Sequence, residues 1–162
     1  MALKGKNGSG KTCLIQLVLG TNQPTVGKIY RAEMQPIFID KDYSLIDSNT
    51  TCGLAQSFNQ LALQEHEIKI RLNRFLFPKD SWDKPCCELS GGERMRILLC
   101  CLTVFSASPY LIILDEPTNN LDIQNLEILA TALNEYQGTL LVVSHDETYL
   151  EQIKIGQTIA LN

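Results

Sequence analysis

No stretch of the chain approaches the roughly 20 consecutive apolar residues that a membrane-spanning helix needs; the nearest, Ile97 to Phe105, is too short and carries Thr103. The opening residues, Met1-Ala-Leu-Lys-Gly5, lack the charged, apolar and cleavage regions of a secretory leader, so a cytoplasmic protein is expected. Positive charge is also scarce. Lys and Arg number 14 against 18 Asp and Glu, a net charge of -4, and a surface of that sign does not carry a protein onto DNA unaided. The six cysteines (Cys13, Cys52, Cys86, Cys87, Cys100, Cys101) contain no C-x-x-C pair, and no His is spaced as a zinc partner. They read as free thiols acting as small hydrophobes. Aromatic residues make up only 7%, and the single Trp82 sits in a polar loop as a packing anchor. There is no internal repeat and no low-complexity segment. What remains, 162 residues with 44% hydrophobic and 20% charged, suits one globular domain and excludes a disordered tail, a collagen or a coiled coil.

The first chemistry comes at once. Gly5-Lys-Asn-Gly-Ser-Gly-Lys11-Thr12 fits G-x-x-x-x-G-K-[ST], followed by the helix-length apolar segment Cys13 to Leu19 and Gly20. In such a loop the backbone around Gly5, Asn7, Gly8, Ser9 and Gly10 turns its N–H groups toward phosphate oxygens. Lys11 reaches the β and γ phosphates, and Thr12 offers its hydroxyl to Mg²⁺. Only Met1 to Lys4 remain to supply the preceding strand, so a truncated chain is expected.

Lys28 to Arg31 reads as a short strand and Pro36 to Asp40 as a buried one. Apolar residues Ile68, Leu72, Phe75 and Leu76 recur at steps of three and four, which predicts helix from about Asn49 to Phe77, ended by Pro78. Further helices are expected at about Gly91 to Phe105, Asp122 to Tyr136 and Glu147 to Ile153. Strands are expected at Tyr110 to Leu114, Thr139 to Val143 and Thr158 to Leu161. Strands alternating with helices mean an α/β fold with a parallel sheet. At the end of the wholly apolar run to Leu114, Asp115 can hold Mg²⁺ and Glu116 can orient or deprotonate an attacking water. Leu89-Ser-Gly-Gly-Glu93 is locally a capping box, Ser90 with Glu93.

The P-loop, that turn and the Asp115-Glu116 pair, in this order, resemble the ATP-binding cassette (ABC) family. The resemblance implies a P-loop NTPase fold with a mainly parallel sheet, an inserted helical subdomain at about residues 44–88, and core segments 1–43 and 89–162. It implies ATP and Mg²⁺ as cofactors, with ATP sandwiched between Lys11, Thr12, Asp115, Glu116 and His145 of one cassette and Ser90, Gly91 and Gly92 of a second, arranged head to tail. Pro117-Thr-Asn-Asn-Leu-Asp122 looks like the family's D-loop region, and Val143-Ser-His145-Asp146 like its switch histidine.

The wording of Asp115-Glu-Pro-Thr-Asn-Asn-Leu-Asp122, of Gly138 to Asp146 and of Ile39-Asp-Lys-Asp-Tyr-Ser-Leu45 is similar to the ABC-F branch. Those are soluble proteins with two cassettes per chain that act on ribosomes in translation or antibiotic resistance. The alternatives are a transporter motor that engages a membrane domain, and a scaffold that binds nucleotide without hydrolysing it. Two departures stand out. The family's glutamine after the second core strand is matched here by Lys41, a donor-only cation; Gln35 comes too early to replace it. The family's N-terminal antiparallel subdomain, with the aromatic residue that stacks on adenine, has no counterpart, which removes stacking worth roughly 1–3 kcal/mol. The chain alone is therefore expected to bind ATP weakly and to hydrolyse it poorly or not at all. His66 reads as a surface helix residue, and the basic positions Lys69, Arg71, Arg74 and Lys79 as a solvated helix face, with contact to ribosomal RNA as the alternative.

Overall fold

A computed structural model describes residues 1–31, 33, 36–46, 49–59, 61–105, 109–119 and 121–161. Gln35 and Asn120 lie outside them. The elements run β1 (Ala2–Gly5), α1 (Lys11–Leu19), β2 (Ile37–Ile39), α2 (Thr51–Ser57), α3 (Glu65–Arg74), α4 (Gly91–Val104), β3 (Leu111–Asp115), α5 (Ile123–Glu135), β4 (Thr139–Val143), α6 (Glu147–Gln152) and β5 (Thr158–Leu161), with short 3₁₀ turns at Lys79–Ser81 and Cys86–Glu88. No helix among the described residues is long and apolar enough to cross a membrane. The chain divides into two compact units: residues 1–41, 109–117 and 138–162, and residues 42–108 with 118–137. The second therefore takes in 44–88 and adds α4 and α5.

The first unit is a five-stranded sheet in the order β2-β3-β4-β1-β5, parallel throughout. Short runs of β-branched and aliphatic residues form these strands because both faces are covered, as a parallel sheet requires; Ile112, Ile113 and Leu114 are all buried. Leu3, Ile113, Leu141 and Val143 share a core with Ile15 of α1. The register sets Leu3 beside Val143 and Val143 beside Asp115. The chain thus leaves β1, β4 and β3 at one end of the sheet, the end where open α/β sheets bind ligands. α1 closes on Gly20 in the left-handed region (φ 83), whose N–H returns to the helix's last carbonyls.

The strand expected at Lys28–Arg31 is absent. An extended segment persists only where a neighbour completes its hydrogen bonds, and here Arg31 instead donates from Nε to the Leu17 carbonyl (2.9 Å) at the end of α1. Val26 and Tyr30 stand exposed.

The second unit buries Leu54, Ile68, Leu72, Phe77, Cys86, Ile97, Cys100, Cys101 and Val104 in one cluster, with Trp82 packed against it. The Trp82 indole donates to the Phe77 carbonyl (3.0 Å), and the Lys69 ammonium lies 5.0 Å from its ring centre. All six cysteines are free thiols, and burial pushes Cys100 up to about 12. The helix expected over 49–77 is two helices. Asn59 interrupts it by taking the place of backbone partners, accepting from Leu63 N–H (3.0 Å) and donating to the Leu63 carbonyl (2.9 Å). Ala62, at φ 52, completes the reversal. α2 is capped by Thr50 Oγ1, which accepts from Gly53 N–H (3.1 Å).

Candidate functional site

Gly5 ends β1, and the loop to Lys11 wraps back over it. Gly8 and Gly10 adopt φ 84 and 93, a backbone that side chains rarely take, although a Cβ at either would meet no atom within 4 Å. At Gly5 the space is gone: a Cβ would lie 2.3 Å from Ser9 Oγ and 2.8 Å from the Leu161 carbonyl. The Ser9 hydroxyl is buried without a hydrogen-bond partner. Lys11 Nζ donates to the carbonyls of Gly5 (2.6 Å) and Lys6 (3.2 Å), which holds the ammonium across the loop. Thr12 follows in the first turn of α1, whose N-terminus adds the positive end of its dipole.

Asp115 ends β3, half-buried. Burial pushes its carboxyl above the usual carboxylate range; the charges of Lys41 and Lys11 oppose this and that of Asp40 adds to it. Lys11, Asp115 and the residues that follow β2 therefore share one electrostatic field. The next residue departs from strand geometry. Glu116 sits at φ 49 in the left-handed region while its N–H still bonds the Val143 carbonyl (2.8 Å). Such a backbone in a non-glycine residue costs on the order of 1–3 kcal/mol and marks a position held by its surroundings. It brings Glu116 Oε1 to 3.4 Å from His145 Nε2, past the end of β4. The fold thus gathers Gly5 to Thr12, Asp115, Glu116 and His145 in the first unit.

Among the described residues no group of three or more His, Cys, Asp and Glu forms a metal cage. Mg²⁺ keeps several waters and takes only one or two protein oxygens beside substrate phosphates, and the Thr12 hydroxyl and Asp115 carboxylate are oxygen donors of the kind it takes.

Ser90, Gly91 and Gly92 lie in the second unit at the start of α4. The capping box forms: Ser90 N–H donates to Glu93 Oε2 (2.8 Å) and Glu93 N–H to Ser90 Oγ (3.3 Å). Burial pushes the Glu93 carboxyl up, but the Ser90 bonds and Lys84, 3.4 Å away, outweigh it and hold it below the usual range. Two residues not singled out from sequence also sit here, Arg96 on α4 and Asn125 on α5. Asn125 is buried, and its amide is the contact that forbids a side chain at residue 92. The signal was a lone polar residue at a core position of an amphipathic helix. Of the basic stripe, Lys69 pairs with Glu65 and Arg71 donates to the Thr103 carbonyl, while His66, Arg74 and Lys79 are exposed.

A family model described as ABC transporter matches residues 1–119. The chain belongs to the ATP-binding cassette (ABC) family. It is 42% identical to the ATP-binding protein Uup-like of Haemophilus influenzae over 93% of this chain and 34% of that protein. It is 36% identical to ABC transporter F family member 5 of Arabidopsis thaliana over 94% of this chain and 22% of that protein. The chain thus spans about a third or less of the curated relatives it matches. Among solved structures it resembles RNase-L Inhibitor, with a TM-score of 0.76 at 26% identity, covering 99% of this chain and 31% of that one. It also shares the fold of the dimeric, ADP- and Pi-bound cassette MJ0796 (TM-score 0.75, 20% identity, 99% of this chain and 80% of that one). The Haemophilus relative is named an ATP-binding protein, and MJ0796 is dimeric in two solved structures.

Against that family background Lys41 makes a measurable difference. Its charge lies in the field of Asp115 and, being of like sign, would oppose a divalent cation held by that carboxylate. Lys41→Gln is expected to lower the Mg²⁺ concentration that half-saturates ATP binding by on the order of tenfold, the size of one partly screened charge. Titrating Mg²⁺ at fixed ATP by calorimetry checks this; equal midpoints would show that Lys41 does not reach the cation.

Proposed function

We propose that this chain is the nucleotide-binding core of an ABC-F-type ATPase, a cytoplasmic protein whose ATP cycle is coupled to the ribosome in translation or antibiotic resistance. The observation that carries the ATPase part is the convergence of Lys11, Asp115, Glu116 and His145 at one end of a single parallel sheet. In this reading the loop N–H groups and Lys11 bind the β and γ phosphates, and Thr12 with Asp115 hold Mg²⁺, which neutralises phosphate charge when bound. Glu116 accepts a proton from, or orients, the water that attacks the γ-phosphate in line. His145, beside Glu116, keeps the carboxylate aimed and meets the phosphate. Ser90, Gly91 and Gly92 face the γ-phosphate of ATP held by a second cassette, in the same polypeptide or in another copy.

The ribosomal part rests on the relatives. One is named as an F family member. The solved archaeal ribosome recycling factor aABCE1, whose structure contains a ribosomal stalk protein, resembles this chain at 26% identity and a TM-score of 0.76. Lys41 favours a second reading, a nucleotide-dependent scaffold without turnover. The test uses the full-length protein carrying Glu116→Gln, with ATP present to hold the cassettes closed. It is expected to co-sediment with ribosomes through a sucrose cushion in ATP and not in ADP. Recovery with the membrane fraction instead would replace this reading with a transporter motor, and ribosome binding indifferent to nucleotide would replace it with the scaffold.

A further inference from the structure

The Ser90–Gly92 turn and the segment before α5 meet around a single amide. Asn125 donates its backbone N–H and its Nδ2 to the same oxygen, Asp122 Oδ1, both at 2.8 Å. On its other side Asn125 Oδ1 accepts from Arg96 Nη1 at 2.6 Å. The amide is nearly sealed from solvent, 7% exposed. It also fills the space beside Gly92, where an added Cβ would lie 2.2 Å from Asn125 Nδ2 and 2.7 Å from Cγ. Arg96 is itself fixed: its guanidinium lies 5.6 Å from the centre of the Phe77 ring, and its Nε is buried with no partner of its own. Its hydrogen bond to Asn125 thus falls on a part-buried charged group, and a bond to a charged group is worth more than a neutral one.

The arrangement is directional. Only an amide oriented this way can accept from Arg96 and donate to the Asp122 carboxylate together; an aliphatic side chain serves neither, and a carboxylate serves one while repelling the other. Asp122 caps α5, and Gly92 is the second residue of α4.

We propose that Asn125 is a positioning residue that locks the Ser90–Gly92 turn and the Asp122 cap into one piece, so that the two loops reach a second cassette in fixed relation. This rests on the reading of Ser90 to Gly92 as the element that completes ATP on the partner cassette. The P-loop that holds nucleotide lies in the other unit, so loss of the clamp should slow turnover without weakening nucleotide capture.

Steady-state ATPase assays on the full-length protein test it. Asn125→Asp sets a carboxylate against Asp122 Oδ1 and is expected to lower kcat by about tenfold, one buried hydrogen bond's worth, with KM for Mg·ATP little changed. The pair Asp122→Asn with Asn125→Asp removes the like-charge repulsion, while the oxygen of residue 122 that caps α5 still cannot donate to residue 125, and it is expected to recover part of kcat. The pair also covers the case in which Asn125→Asp alone fails to fold. An unchanged kcat in Asn125→Asp, a parallel change in KM, or a pair no better than the single variant would each overturn the proposal. A wild-type protein with no turnover sensitive to Glu116→Gln would instead overturn the underlying ATPase reading.

Discussion

Glu116→Gln is expected to reduce ATP turnover by about 10²- to 10⁴-fold, the usual contribution of a positioned general base, while ATP binding is retained. An amide has the shape of the carboxylate but cannot accept the water's proton at neutral pH. The replacement keeps what the fold supplies: the N–H bond to the Val143 carbonyl and the left-handed φ of 49 belong to the backbone. The contact with His145 Nε2 at 3.4 Å can also persist, with the amide oxygen as acceptor. In the proposed site phosphate binding falls to other residues, the loop and Lys11, so affinity should stay within a few-fold. Single-turnover hydrolysis and equilibrium binding in the full-length protein separate the two effects. Turnover at the wild-type rate would move the base to another group, with Asp115, whose carboxyl burial pushes up, the first alternative.

The P-loop and the Asp115-Glu116 pair were legible in the sequence because each rule involved is local, whereas His145 was implied by the family resemblance alone. A glycine pattern fixes a loop, and an apolar run ending in two carboxylates fixes the carboxyl end of a buried strand. The parallel register then carries Asp115 to Val143 and Val143 to Leu3, so three separated segments arrive at one edge without any further signal. Where the sequence misled, the deciding partner was distant or was a side chain acting as backbone. Lys28 to Arg31 has strand composition but no strand beside it. The helical periodicity up to Phe77 hid the break at Asn59, because a polar residue there looks like any solvated helix position until its amide is seen bonded to Leu63. Asn125 was hidden for the opposite reason. Its polarity only acquires meaning once Arg96, twenty-nine residues earlier, and Gly92 are packed against it. Left-handed Glu116 had no sequence signal at all, since the strain is imposed by the junction of β3 with β4.

Lys11→Ala is expected to weaken binding of Mg·ATP by about 100-fold, within the range for a charge-assisted hydrogen bond lost in a partly buried site. Two effects add. In the proposed site the ammonium held across the loop would meet the phosphates, and the same Nζ ties the Gly5 and Lys6 carbonyls together at 2.6 and 3.2 Å. Without it those carbonyls face the approaching phosphates unpaired, and the loop, with left-handed Gly8 and Gly10, loses the strut that shapes it. Lys11→Arg separates the contributions. Arginine keeps the charge, but its planar fork cannot place one compact donor on two carbonyls and a phosphate, so it should recover only part of the affinity. Calorimetric titration of ATP and of inorganic triphosphate into the three proteins checks this. A similar loss for both ligands is expected, because Lys11 contacts phosphate and not the base. If affinity is unchanged in Lys11→Ala, the ammonium serves only to close the loop, and phosphate binding must come from the backbone N–H groups and the α1 N-terminus alone.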